Sequence, residues 1–236
     1  MTIGSNISSL KAAVKAAHEE FDLAVVFHEV RKPTAYDKDL HKRMGRSYAS
    51  HAFRIVRVSL RREMLLALMR LWDTSPGAIR IDQIARIVCK PDILKALAKE
   101  RAAKFGDIDV ERQMLRELRD RAEQVDRLVA KYSRGGSHFD ILSKLRVLRH
   151  EHFAHRRLVR SVDLSQSKMD RDIESFYQDN SRLISLLLSV VLATAYDPQE
   201  AAKVFQFYTD HFWAGVRGEN SEGHPNYPVR TGLKQA

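Results

Sequence analysis

The stretch Phe139-Asp140-Ile141-Leu142-Ser143-Lys144-Leu145-Arg146-Val147-Leu148-Arg149-His150-Glu151-His152-Phe153-Ala154-His155-Arg156-Arg157-Leu158 decides how the chain is read. Ile141, Leu142, Leu145 and Leu148 recur at three- and four-residue spacings, which marks one apolar stripe of a helix facing a core. Gly135-Gly136 breaks the segment before it. Ser137 and Asp140 then fit a capping box, so the spacing predicts a helix from about His138. Continued at the same spacing, the stripe reaches Arg149, His152 and His155. At about 100° per residue, Arg149, His152, His155 and Arg156 share one arc, while Glu151 and Arg157 point elsewhere.

Burying several potential cations costs free energy unless a partner or a reaction compensates, so this arc is the first functional candidate. The bland readings are a hydrogen-bonded core histidine and cations favoured by a helix C-terminus. His152 and His155 stand three apart on one face, but no helix-borne Glu-His partner motif accompanies them. No metal site is therefore assigned. The chain has no phosphate-cradling glycine loop, no Gly-x-Ser-x-Gly elbow and no cofactor-binding signature, which sets aside kinase, hydrolase-elbow and dinucleotide readings.

Outward from this stretch the pattern is helical nearly throughout, and the expected class is all-α. A first helix covers about Ile7 to Val30, with Leu10, Val14, Ala17, Phe21, Ala24 and His28 in register, and Lys32-Pro33-Thr34 is expected to end it. A second runs from about Asp37 to Trp72 despite Gly45, and Asp73-Thr74-Ser75-Pro76-Gly77 closes it. Two shorter helices follow, about Ile81 to Val88 and Pro91 to Phe105. A long polar one, capped by Asp107, reaches Tyr132 with Val110, Met114, Leu118, Ala122, Val125 and Val129 inward. After the His138 helix come a linker, 161–167, a helix from Met169 to Tyr196, and a last helix from about Pro198 carrying Val204, Phe205, Tyr208 and Phe212. The expected organisation is one domain, 1–217, with a short helical insertion at about 78–105 and a mobile tail, 218–236.

The residues Arg149, His150 and His155, followed by Arg156, resemble the motif of the HEPN superfamily (higher eukaryotes and prokaryotes nucleotide-binding): an arginine, a polar residue, a short spacer and a histidine. Together with the long second helix ending Arg61-Arg62-Glu63-Met64-Leu65-Leu66-Ala67-Leu68-Met69-Arg70-Leu71-Trp72-Asp73, the chain resembles the AbiU-type abortive-infection branch of that superfamily, to about residue 215. The resemblance implies a HEPN-like four-helix bundle with additional short helices, dimerising so that two motifs form a composite, metal-independent ribonuclease site. In that picture His155 is general acid or base at the ribose 2′-hydroxyl, Arg149 holds the scissile phosphate, and His150 supports them. His152 falls outside the minimal motif. Some HEPN toxins carry a tyrosine two residues after the motif histidine, as a modification site; here Arg157 stands there, so that regulation is not implied. The implied setting is a bacterial defence or toxin-antitoxin system, with RNA, a second copy and a cognate antitoxin as partners. The alternative is a non-catalytic HEPN module that binds RNA, nucleotide or a partner protein through the same residues.

The chemistry is consistent with elementary rules, since imidazole titrates near neutrality and guanidinium pairs with phosphate through two hydrogen bonds. With 40 Lys+Arg against 30 Asp+Glu the formal charge is +10 in 236 residues, a balance that favours polyanions. Arg54, Arg57, Arg61 and Arg62 form a basic stripe that could track phosphate, and His28-Glu29 and His51 read as packed or solvated polar residues. The single Cys89 forms no intramolecular disulfide and suits a reducing cytoplasm. Residues Met1 to Lys11 lack the apolar stretch of a signal peptide, and the apolar run Ser185 to Tyr196 is too short to span a bilayer, so no membrane association is expected.

Overall fold

A computed structural model describes residues 3–45, 47–103, 108–149 and 166–218. The chain is all-α, and no strand is present among the described residues. The helices are α1 (Ile3–Tyr36), α2 (Lys38–Met44), α3 (Ala49–Leu71), α4 (Ile81–Val88), α5 (Pro91–Ala102), α6 (Ile108–Tyr132), α7 (Phe139–Leu148), α8 (Gln166–Leu187) with a π-turn (Leu188–Leu192), and α9 (Pro198–Gly215). None of the described helices is long and apolar enough to cross a membrane. The chain divides into two compact units, one of Met1–Ala24 with Leu65–Pro198, the other of Val25–Met64 with Gln199–Ala236.

The first unit is organised on α6, against which α4, α5, α7, α8 and the π-turn pack. Its inward residues Leu118, Ala122, Val125, Val129 and Tyr132 are buried at alternating four- and three-residue steps, the stripe that a 3.6-residue period requires. Ile81, Ile84, Ala85 and Val88 do the same on α4, and Ile93, Leu94, Leu97 and Ala98 on α5. At one end of the core Trp72 packs against Tyr132 and Phe176 at ring separations of 5.4 and 6.0 Å. The polar atoms of this cluster are satisfied: Trp72 Nε1 donates to Asn180 Oδ1 at 2.8 Å, and the Tyr132 hydroxyl donates to Asp179 at 2.6 Å. Burial, then the Asp179 carboxylate, pushes the Tyr132 phenol well above its ordinary value.

In the second unit Leu40, Met44 and Trp213 form a buried cluster joined by Phe53, Leu60 and Val216. Trp213 Nε1 donates to the Val30 carbonyl at 3.0 Å, and Arg43 Nη2 donates to the Trp213 carbonyl at 3.0 Å. These bonds tie α1, α2 and α9 through main-chain acceptors, so the indole both fills the core and fixes its neighbours.

Several local features differ from the sequence expectation, the start of α8 at Gln166 inside the expected 161–167 linker among them. The first helix does not stop at Pro33 but continues to Tyr36. Proline removes one amide donor, but Thr34 is fully buried, its hydroxyl donates to the Arg31 carbonyl, and its own carbonyl meets His41 Nε2 at 2.9 Å. Tertiary anchoring outweighs the lost bond. The second helix is broken at Gly45, whose φ of 55° and ψ of −153° leave helical space and separate α2 from α3; only glycine adopts that backbone at little cost. The Ser137–Asp140 capping box does not form: His138 occupies the cap position without a side-chain cap bond, and the Ser137 hydroxyl meets His138 Nδ1 at 2.9 Å.

Last, the helix expected to reach Tyr196 stops at the π-turn, which ends on left-handed Ala193. Arg101 Nη2 donates to the carbonyls of Ser189 and Val190, and Arg121 Nη1 to the Ser189 hydroxyl. Arg101 thereby satisfies carbonyls that a continuing helix would have used internally.

Candidate functional site

Helix α7 is the element that presents Arg149. Leu142, Leu145 and Leu148 are buried, as their spacing predicts, and this fixes the rotation of the helix about its axis. Arg149 follows directly as the C-cap, with helical dihedrals. Its side chain is 33 % exposed and its Nη2 donates to Asp73 Oδ2 at 2.8 Å. The stripe that buries leucine therefore ends in a guanidinium aimed at a carboxylate.

Asp73 stands in the turn after α3. Its Oδ1 accepts from the Thr74 and Ser75 amides at 2.7 and 3.0 Å and from the Ser75 hydroxyl at 2.9 Å. This is an Asx-type turn, in which a short carboxylate closes the chain on itself. Oδ1 is used to shape the turn and Oδ2 to hold Arg149. The Arg149 hydrogen bond, followed by those of Ser75, holds the Asp73 carboxyl well below the usual carboxylate range against the opposing effect of burial. A guanidinium carries five N–H donors in a planar fork, and the Asp73 contact uses its Nη2 end. The arrangement can orient a fixed positive charge at the end of α7, which is what recognition of a phosphate oxygen requires.

A lowered carboxyl pKa means that the unfolded chain binds the proton more readily than the folded one. Asp73 thus contributes stability above its unfolded value of about 4, and loses it as pH falls below that value. The expected result is a wild-type urea midpoint that drops between pH 5 and pH 3, with a smaller drop in Asp73→Asn. Equal slopes in the two proteins would remove Asp73 from the acid limb.

His150, His152, His155 and Arg156 lie outside the described residues, so Arg149 is the member of the predicted constellation with a stated position. The sequence alone does not mark Asp73 as a site residue. The Asp-Thr-Ser pattern signalled a turn, but nothing local links it to an arginine 76 positions away.

The secondary candidates resolve into packing and surface. His28 and Glu29 are both 2 % exposed and paired at 2.9 Å, with Lys32 also bonded to Glu29. Burial would raise the Glu29 carboxyl, but hydrogen bonds from His28 and Lys32 together with their charge hold it below its ordinary value. Along the basic stripe Arg54 and Arg62 are exposed and Arg57 and Arg61 half-buried; Arg62 pairs with Glu63. Cys89 is half-buried against the Ala122 carbonyl, and burial, then Asp126, raises its thiol pKa. A raised thiol pKa opposes thiolate chemistry.

Comparison with known families bears directly on this geometry. A family model of the HEPN class, described as AbiU2, matches residues 7–212, a span that includes α7, Arg149 and the whole Arg149 to His155 motif. The chain belongs to the HEPN AbiU2 family. Membership makes it an abortive-infection-related HEPN module, all-α as the resemblance implied. No curated protein and no solved structure matches it.

Proposed function

We propose that the chain is a metal-independent endoribonuclease of a bacterial defence system, acting as a homodimer with a composite site. The observation that carries the reading is the half-buried Arg149 guanidinium, held at the end of α7 by Asp73 within a HEPN family match that spans the full motif. RNA supplies its own nucleophile in the ribose 2′-hydroxyl. His155 accepts that proton or gives one to the leaving oxygen, and Arg149 balances the charge that develops on the phosphate. His150 and Arg156 support the pair, and His152, outside the minimal motif, has no assigned role. The net charge of +10 draws the polyanion in through counterion release.

Incubation with transfer and total RNA in EDTA tests this reading. Wild type yields new 2′,3′-cyclic phosphate ends, and Arg149→Ala and His155→Ala proteins, folded by circular dichroism, do not. Equal cleavage by all three would refute the assignment. The Asp73 contact also favours a second reading, because an arginine paired with a carboxylate can hold a phosphate or a partner without catalysis. That reading is a non-catalytic module that captures RNA, nucleotide or a partner protein, with cognate antitoxin the natural protein candidate. RNA affinity without cleavage would select it.

The second copy has a face to bury. On α9, Val204, Phe207, Tyr208 and Phe212 are each more than half exposed, at positions that fall on one side of the helix. The opposite side carries the buried Thr209 and Trp213. Exposed aromatic clusters of this kind mark association surfaces. A Phe207→Glu/Phe212→Glu protein is expected to keep its helicity and sediment as a monomer where wild type sediments as a dimer. A dimer persisting in the double variant would move the interface elsewhere.

A further inference from the structure

The first unit contains a cavity of about 490 Å³ that the ribonuclease reading does not use. It is walled by α1, α5, α6 and the end of the π-turn, and its size is that of a small-molecule site. The floor is apolar, built from Leu97, Met114, Leu118, Val191 and Leu192. Arg101 and Arg121 stand at one wall, close enough that the Arg121 charge disfavours that of Arg101, and both converge on Ser189 of the π-turn. Burial, and then Arg121, lowers the Arg101 pKa, while Glu100 opposes the shift. Lys11, also in the wall, is paired with Glu100 at 2.5 Å, so those two charges cancel locally.

Two arginines crowded together at the wall of an apolar hollow are unfavourable by themselves. Among the described residues they donate to two neutral carbonyls and a hydroxyl, which satisfies donors without balancing charge. Those bonds use Nη2 of Arg101 and Nη1 of Arg121, one corner of each five-donor fork. An anion at this wall would relieve the repulsion and accept from the other donors. The backbone around the pair is also unusual. Single π-turns occur often at functional sites, and this one ends on Ala193 with φ of 53°, a conformation that costs a non-glycine residue free energy.

We propose that this cavity binds a small organic anion, with a phosphate or carboxylate head group against Arg101 and Arg121 and an apolar body over Leu97, Leu118 and Val191. The site stands apart from the RNA-cleavage reading and holds whether or not that reading does. Glu117, also in the wall, sets a limit on the ligand: it repels a second negative charge and accepts from a hydroxyl or amino group on the body. Occupancy stiffens the junction between α8 and the π-turn, because the head group shares Arg101 with the Ser189 and Val190 carbonyls and Arg121 with the Ser189 hydroxyl.

Calorimetric titration of the full chain with adenosine monophosphate, decanoate and inorganic phosphate, each in turn, tests the proposal. The expected result is saturable one-to-one binding of one of the two organic anions, and of inorganic phosphate much more weakly. Adenosine monophosphate as the binder identifies a phosphorylated nucleoside as the source of the chemistry; decanoate identifies a fatty acid. Arg121→Gln removes a charge-assisted contact and should weaken binding by about tenfold or more. Arg121 is the better position to change than Arg101, which closes two carbonyls of the π-turn. Met114→Trp fills the hollow without touching charge, and should weaken binding as much while circular dichroism stays unchanged. The proposal is overturned if neither organic anion binds at millimolar concentration, if inorganic phosphate binds as well as they do, or if binding survives both substitutions.

Discussion

Replacing Trp72 with alanine is expected to lower the unfolding free energy by about 3–5 kcal/mol, the range for truncating a buried aromatic side chain. The indole is 6 % exposed, packs against Tyr132 and Phe176, and among the described residues supplies the donor to Asn180 Oδ1. The substitution thus opens a large void and orphans a buried amide oxygen together. A total stability of about 5–15 kcal/mol is usual for a domain, so the change removes a large share of it. Trp72→Phe separates the two effects: the ring contacts persist and the orphaned Asn180 oxygen alone costs about 1–3 kcal/mol. Urea unfolding followed by far-ultraviolet circular dichroism reads both. A Trp72→Ala loss near that of Trp72→Phe would mean that the aromatic cluster contributes little. Because Asp73 is the next residue, Trp72→Ala also frees the turn that holds Arg149, and its acid-limb slope should approach that of Asp73→Asn.

How much of this was legible in the sequence depends on the range of the interaction that decided each feature. Helices whose period and caps are local were readable: Ile81–Val88 for α4, Pro91 as the first residue of α5, and Leu118, Ala122, Val125 and Val129 as the buried side of α6. So was the Leu142, Leu145, Leu148 stripe that aims Arg149. Features set by distant partners were not. Pro33 reads as a stop, and only the burial of Thr34 and the His41 contact show why the helix passes through it. The run Ser185 to Tyr196 reads as continuous helix, and the two arginines bonded to Ser189, where the chain turns aside, are 88 and 68 positions away. Gly45 is different, since its sequence signal was present and was outweighed by the apolar pattern on either side.

The same division runs through the site. Arg149 follows from periodicity and from the family motif, whereas Asp73 follows from neither. A carboxylate that positions an arginine across the fold leaves no trace in local spacing. Its Asx-turn bonds to Thr74 and Ser75 are local and visible, but they explain the turn and not its partner. Sequence therefore locates the motif arginine more readily than the carboxylate that orients it.

That distinction sets the largest effect expected on activity. In the RNA-cleavage assay, Arg149→Ala should reduce kcat by about 10²–10³ or more, the loss seen when one donor to a developing oxyanion is removed. Arg149→Lys should restore little, because an ammonium offers a point charge where a planar fork is needed. Asp73→Asn leaves the arginine in place and removes the carboxylate charge that holds it. The guanidinium then samples more orientations, and kcat should fall by about tenfold through lost alignment. KM should not rise, since an unpaired guanidinium attracts RNA at least as strongly as a paired one. A purely structural role for Asp73 would instead lower stability and leave the kcat of the folded fraction unchanged, so unfolding and single-turnover measurements on one preparation separate the two. Wild-type kcat in Arg149→Ala would end the catalytic assignment. An unchanged kcat in Asp73→Asn alone would keep Arg149 as the phosphate-binding group and leave Asp73 as the carboxylate that shapes the turn after α3.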